Sequence, residues 1–271
     1  MSHETPSARR GRALITGASS GIGAVYAERL ARRGYDLVLV ARRADLLSDL
    51  AGRLAAETGA DSEILVADLT DVAALRTVED RLAAGDIEVF VNNAGAAVLG
   101  AMADAEAEAL HKLVLLNVVA PTQLARAVLP SMRARGAGAI INIGSVTGLM
   151  TDRAGVGAVY SAGKAYVLAL SEGLNAELAG EGVFVQAVLP GVTRTAIWGE
   201  GDRSRLSAMP AEMIMSAEDM VDAALAAWDQ GEAITIPALP DNRDLEAFLA
   251  ARRALYPNLS RSKPAARYGI G

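Results

Sequence analysis

Short, uninterrupted apolar runs alternate along the chain with longer stretches in which apolar residues recur every three or four positions. Arg12 to Thr16 predicts a short buried strand, and Gly21 to Arg33 a helix ended by Gly34. Leu37 to Val40 reads as the next strand, with a helix from about Ala44 to Glu57 behind it. Ile64 to Val66 predicts a third strand, Asp71 to Ala84 a helix, and Val89 to Val91 a fourth strand. Strands that are apolar throughout, separated by helices, predict a parallel sheet covered on both faces. A sheet with one wet face would alternate instead.

The second half continues the pattern with longer helices. A helix is expected from about Asp104 to Arg135, bent or segmented by Pro121 and Pro130. Ala139 to Ile143 follows as a fifth strand, Val159 to Leu178 as a helix, and Val183 to Leu189 as a sixth strand. Ser216 is placed to cap a helix reaching about Asp229, and Ala233 to Ile236 gives a seventh strand. With no internal repeat or linker, the expected organisation is a flexible tail over residues 1–11, one domain over 12–240, and a helical, basic extension over 241–271. That extension carries Arg243, Arg252, Arg253, Arg261, Lys263 and Arg267 against Asp241, Asp244 and Glu246. Asp241 to Tyr256 is expected to be helical, and the chain from Pro257 onward mobile.

Composition narrows the class. The 271 residues are 52% apolar and 21% charged, which excludes disorder for the bulk of the chain. The net charge of −6 argues against nucleic acid or an anionic membrane as the main partner. There is no cysteine, hence no thiolate nucleophile and no disulfide framework, in keeping with a cytoplasmic location. Arg9-Arg10 resembles an export signal, but only Ala13 to Thr16 follow before the glycines begin, too short for its apolar region. No run approaches the roughly 18 uninterrupted apolar residues of a membrane span.

Candidate chemistry begins at Thr16-Gly17-Ala18-Ser19-Ser20-Gly21-Ile22-Gly23, between the first strand and the first helix. Glycines there permit a tight turn and close backbone approach, and the helix start offers free N–H groups to a pyrophosphate. Past the second strand stand Arg42-Arg43, where an NAD-selective site would carry a carboxylate for the ribose 2′-hydroxyl. A guanidinium suits a 2′-phosphate, so NADP(H) is the expected cofactor, with NAD possible. Tyr160 and Lys164 lie one helical turn apart on a single face.

The glycine turn, Asn92-Asn93-Ala94-Gly95 after the fourth strand, the Tyr160/Lys164 pair, and Pro190-Gly191 with Thr195 beyond occur in the order of four motifs of the short-chain dehydrogenases/reductases. The chain resembles that family over roughly residues 11–236. The resemblance implies a doubly wound Rossmann fold, an α/β architecture with a seven-stranded parallel sheet. It implies hydride transfer between NADP(H) and a carbonyl or alcohol, Tyr160 being the general acid/base. Lys164 would lower the phenol's pKa and hold the nicotinamide ribose, Ser145 would bind the substrate oxygen, and Asn117 would hold a water that relays protons. Thr147 is the alternative to Ser145 at a shorter spacing from Tyr160. Expected cofactor contacts are Gly17, Ser19, Ser20, Gly21, Ile22 and Gly23 in the turn, Arg42 and Arg43 at the ribose, and Asp68 and Leu69 at the adenine. Asn92, Ala94, Gly95, Pro190, Gly191, Val192 and Thr195 complete them, together with Tyr160 and Lys164.

His3 and His111 lack partners at metal or triad spacing, so neither a metal nor a Ser-His-Asp hydrolase is expected. Residues 192–215 hold Ile197, Trp198, Met209, Met213, Ile214 and Met215, either a lid over an apolar substrate or plain packing. Arg153, Arg194, Arg203 and Arg205 are either solvated or recognise an acid. Small residues Ala162, Ala165, Ala169 and Gly173 suit close approach of a second helix, and relatives in the family pair this helix in a homodimer or homotetramer. A non-catalytic dinucleotide sensor is the alternative reading. It has no reason to keep Ser145, Tyr160, Lys164 and Asn117 together.

Overall fold

The computed structural model describes residues 10–153, 155–195, 206–207 and 209–270. Two compact units divide the chain, one ending at Pro237 and one beginning at Ala238. The first is built on seven parallel strands, β1 (Arg12–Thr16), β2 (Asp36–Ala41), β3 (Ser62–Val66), β4 (Ile87–Asn92), β5 (Gly138–Ile143), β6 (Val183–Val188) and β7 (Ile234–Thr235), in the order β3-β2-β1-β4-β5-β6-β7. Strand order reverses between β1 and β4, whose register sets Leu14 beside Phe90 and Ile15 beside Val91. Such a reversal opens a crevice at the carboxyl ends of the two strands, where α/β sheets hold their ligands.

The apolar runs are explained by burial on both faces. Ala13, Ile15, Leu37, Leu39, Val89 and Val91 point to one side. They meet α1 (Gly21–Arg32), α2 (Ala44–Thr58) and α7 (Ala217–Asp229) through Leu30, Leu47, Leu54 and Val221. Leu14, Val38, Val40, Phe90, Ile140 and Val185 point to the other. There they meet α3 (Val72–Ala83), α5 (Ala120–Arg135) and α6 (Ala158–Glu177) through Val78, Leu82, Leu124, Val128 and Leu174. Each such fully buried side chain contributes about 1.5–3 kcal/mol relative to exposure. Helix ends follow local chemistry. Asp71 and Ser216 accept from the amides of Ala74 and Asp219 at 2.8 and 2.9 Å, and α2 ends on Gly59 in the left-handed region.

The long helix is segmented just ahead of Pro121. α4 (Ala107–Val114) runs into a π segment over Leu115–Val119 before α5 begins. Pro121, two residues past that segment, lacks the N–H that a continuous helix would use there, and Pro130 is carried inside α5. The wider turn is centred on Asn117. By length and composition the run 107–135 is apolar enough to cross a bilayer, but Leu113, Leu124, Val128 and Met132 are buried in this fold. In the second unit, α8 (Arg243–Ala254) is followed by 3₁₀ turns at Tyr256–Asn258 and Ala266–Tyr268.

A chain of buried amides ties the sheet to the helices below the crevice. Asn92 donates to the Pro121 carbonyl and to Asn142 Oδ1, both at 3.1 Å. Asn142 Nδ2 donates to Ser171 Oγ at 2.9 Å, and Ser171 donates to the Val167 carbonyl at 2.8 Å. All three side chains are buried, so a lost partner leaves an unsatisfied donor in a dry interior. Asn142→Ala should therefore destabilise the protein by about 1–3 kcal/mol in denaturant melts. A melt unchanged from the parent would show that the chain of amides carries no stability.

Candidate active site

The crevice begins where β1 ends. Thr16 Oγ1 accepts from the amides of Asn93 and Ala94 at 2.9 and 3.0 Å, and Asn93 Nδ2 donates to the Thr16 carbonyl at 2.8 Å. These bonds fasten the end of β4 to the start of the glycine turn. The turn needs its glycines for two reasons. Gly17 and Gly21 have φ of 69° and 56°, which side chains disfavour. At Gly23 a Cβ would strike the Gly17 carbonyl and stand 2.6 Å from Asn93 Nδ2. The first turn of α1 carries no acidic residue, and Ser20 precedes it as the N-cap. A positive helix end with free amides and hydroxyls beside it fits a pyrophosphate.

Charge collects at the ends of β2 and β3. Arg43 Nη2 donates to Ser19 Oγ at 3.0 Å and to Ser20 Oγ at 2.8 Å, a guanidinium and two hydroxyls facing one point. Arg42 is turned toward Asp68, 3.9 Å away. Burial works to raise the Asp68 pKa, but two hydrogen bonds from Thr70 and the charges of Arg42 and Lys112 outweigh it and hold the carboxyl below its ordinary value.

The reacting end is built by β5 and α6. Ser145 follows β5, and its Oγ accepts from the Thr147 amide at 3.2 Å, starting a 3₁₀ turn over Val146–Gly148. That turn lies hard against α6, because a Cβ at Gly148 would come within 2.8 Å of the Lys164 backbone. Lys164 is buried, and its Nζ donates to the carbonyl of Ile143, the last residue of β5, at 2.9 Å. Tyr160 sits one turn earlier, with the Lys164 ammonium 5.9 Å from its ring centre. Burial pushes the phenol above its ordinary pKa and a hydrogen bond with Ser145 offsets part of that. Burial also brings Lys164 down to about 8. In the ligand-free protein desolvation thus governs both groups.

Most of the expected residues line one cleft of about 960 Å³. Gly17, Ser19, Ser20, Gly21, Ile22, Arg42, Arg43, Asp68, Leu69, Ala94 and Gly95 form one part of it. Ser145, Tyr160, Lys164, Pro190, Gly191, Val192 and Thr195 form the rest. Three residues are not on its wall. Gly23 packs behind the turn. Asn92, expected beside the cofactor, is directed into the sheet by its bonds to Asn142 and Pro121. Asn93 lines the cleft instead, a position that the alternating direction of strand side chains favours but two adjacent asparagines conceal. Asn117 is buried behind Gly95 with its amide spent on Ala96, donating to the carbonyl at 2.8 Å and accepting from the amide at 3.0 Å. Its side chain braces the backbone at Ala96.

Leu99, Met150 and Val156 also line the cleft, from the loops that follow β4 and β5. Of residues 192–215, Met209 and Met213 face the cleft while Met215 packs on the core. Ile197 and Trp198 lie outside the described residues. Among the described residues there is no cluster of metal-ligating side chains.

The short chain dehydrogenase family model matches residues 12–205. A short-chain dehydrogenase from Sphingobium yanoikuyae, solved in complex with NADPH, is 46% identical with a TM-score of 0.90, over 94% of this chain and 98% of that one. A bulky-bulky ketone specific alcohol dehydrogenase from Comamonas testosteroni is 42% identical with a TM-score of 0.88, over 96% and 99%. An uncharacterised oxidoreductase of Staphylococcus saprophyticus is 32% identical over 226 residues, 83% of this chain and 93% of its own. The chain belongs to the short-chain dehydrogenase family. It is an NAD(P)-dependent oxidoreductase acting on alcohol or ketone substrates.

The buried ammonium makes stability depend on pH. Lys164 binds its proton less tightly folded (about 8) than in the unfolded chain, where about 10.4 is usual. Between those values the unfolded state holds more protons, so stability rises with pH on this residue's account, by about 3 kcal/mol in all. Relative to Lys164→Met, the ligand-free parent should gain that much between neutral pH and pH about 10.5. Parallel stability curves for the two proteins would contradict it.

Proposed function

We propose that the protein is an NADP(H)-dependent carbonyl reductase and alcohol dehydrogenase in which Tyr160 is the general acid/base. The observation that carries this is the single cleft, with Arg43, Ser19 and Ser20 at one end and Ser145, Tyr160 and Lys164 at the other. When bound, the dinucleotide supplies or accepts hydride at the substrate carbon. Arg43, Ser19 and Ser20 would hold the 2′-phosphate, Asp68 and Leu69 the adenine, and the glycine turn the pyrophosphate. Thr195, packed 3.2 Å from the position a Gly21 Cβ would take, closes the turn from the far side.

In reduction, the phenol of Tyr160 gives its proton to the substrate oxygen, which Ser145 also binds. Oxidation reverses the transfer. A phenol raised by burial is well protonated at neutral pH and so is ready as an acid. Lys164, held on the Ile143 carbonyl, orients the ribose with its remaining donors and favours the phenolate as it forms. The apolar wall of Leu99, Val146, Met150, Val156, Met209 and Met213 favours a bulky hydrophobic ketone, in line with the Comamonas relative. Ala162, Ala169 and Gly173 stand exposed on α6, and Gly173 has nothing within 4 Å of a Cβ, a face suited to a second copy. The assembly is a homodimer or homotetramer in the cytoplasm.

Tyr160→Phe should lower reductase activity by about 10²-fold or more while NADPH affinity changes only a fewfold, because the ring and cofactor contacts remain. Near-parent activity on a turned-over ketone would remove Tyr160 as proton donor. Arg43→Asp should weaken NADP binding by about tenfold or more and leave NAD nearly unchanged, and Arg42→Asp should act more weakly. Equal loss of both cofactors in a binding titration would contradict the 2′-phosphate site. Tight NADP binding without turnover of any carbonyl or alcohol would favour the sensor instead.

A further inference from the structure

The cleft carries its charge unevenly. Arg42, Arg43 and Asp68 stand at the ends of β2 and β3, and Lys164 is buried against the Ile143 carbonyl. Among the described residues, Arg153 is the remaining charged side chain on the wall. It belongs to the connection from β5 to α6, between Ser145 and Tyr160, with Met150 and Val156 also on that connection. In the sheet, β1 and β4 separate β2 from β5. At roughly 4.8 Å per strand, that sets the β5 loop about 14 Å from the strand that ends in Arg42 and Arg43. Arg153 is a feature of the reacting end, not of the adenine end.

Two observations suggest that this guanidinium awaits a partner. No carboxylate or carbonyl of the described residues pairs with its side chain, which is exposed, whereas Arg29, Arg33 and Arg81 each hold a carboxylate. The end of the connection at Gly157 is also seated. Gly155 and Gly157 have φ of 85° and 88°, and a Cβ at Gly157 would run into the Val98 carbonyl, so the segment rests on the loop that follows β4. Arg194, by contrast, does not line the cleft, and Arg203 and Arg205 lie outside the described residues.

Resting on the carbonyl-reductase reading above, we infer that the substrate is an apolar ketone, or its alcohol, that also bears a carboxylate, and that Arg153 pairs with this group while the carbonyl lies at Ser145 and Tyr160. The anions of the dinucleotide are matched by Arg43 and the glycine turn, which leaves Arg153 for a charge on the substrate. The planar fork of a guanidinium takes a carboxylate through two parallel hydrogen bonds. An exposed ion pair in water contributes little, so the expected preference is modest; Leu99, Met150, Val156 and Met213 give the same cleft its apolar wall. Arg153 thereby sets specificity and takes no part in proton transfer.

The test uses aryl ketones with a terminal carboxylate on alkyl chains of increasing length, each beside its methyl ester. The parent, Arg153→Gln and Arg153→Lys are compared with NADPH. At the best chain length the parent should show a KM for the acid about five- to tenfold below that of the ester. Arg153→Gln should erase that difference by raising the KM of the acid, with kcat and the ester unchanged, while Arg153→Lys keeps part of it. Added salt should erode the preference in the parent only. Equal handling of acids and esters by the parent, or equal harm to both by Arg153→Gln, would overturn the inference and leave the reductase reading intact. Should neither be reduced although NADPH binds, that reading itself falls. Calorimetric titration of the NADP-loaded protein with the same acids then decides. Binding lost in Arg153→Gln supports the anion site, and no binding, or binding indifferent to the substitution, overturns it.

Discussion

The ammonium of Lys164 lies in a nearly dry interior, on the carbonyl that ends β5, and the reacting end of the molecule is arranged around that contact. A strand's last carbonyl has no partner in the ladder beyond it, and a buried ammonium must have acceptors. One bond meets both needs and seats α6 on the sheet edge. Tyr160, a turn earlier on the helix, and Ser145, two residues past Ile143, then face the same space. Gly95 and Gly148 keep the ammonium's surroundings narrow, since a Cβ at either would stand 3.5 Å from Nζ or 2.8 Å from the Lys164 backbone. Asn117 adds a brace from the π segment through the backbone of Ala96.

The opposite end obeys a different constraint. None of its charged side chains is deeply buried, and at Asp68 hydrogen bonds and neighbouring charge outweigh desolvation. Arg43 is held by two serine hydroxyls, while Arg42 and Asp68 lie 3.9 Å apart on the rim. Polar groups that bind each other without a ligand can exchange those bonds for a phosphate at small cost, which suits a site that must release its cofactor.

The sheet was legible in the sequence because parallel strands buried on both faces are apolar at every position. All seven fall where the apolar runs lie, with ends shifted by a few residues. The π segment was not legible. Widening a turn from i+4 to i+5 leaves no mark on apolar periodicity over five residues; Pro121 marks the neighbourhood of the break but not its π geometry. Adjacent like residues were a second source of error. Asn92 and Asn93 differ in the direction each side chain takes at the end of β4, and of the two Asn93 lines the cleft. The motif residues of the cleft converge as expected, while Leu99, Met150 and Val156 reach it from irregular loops that carry no pattern. The upward shift of the ligand-free phenol was not legible either, because burial depth is a tertiary quantity.

That shift gives the account its sharpest test. In the ligand-free protein the Tyr160 phenol should titrate above 10, because desolvation governs it. Binding of NADP⁺ brings a positive ring into the cleft and should move the titration downward by about one unit or more. Tyrosine labelled at the ring carbon beside the hydroxyl, followed by NMR against pH and assigned by its loss in Tyr160→Phe, reads both values. The account predicts a high value without cofactor and a clear fall with NADP⁺. A phenol that titrates at the same pH in both states would contradict the assignment of Tyr160 as the proton donor and acceptor of this site.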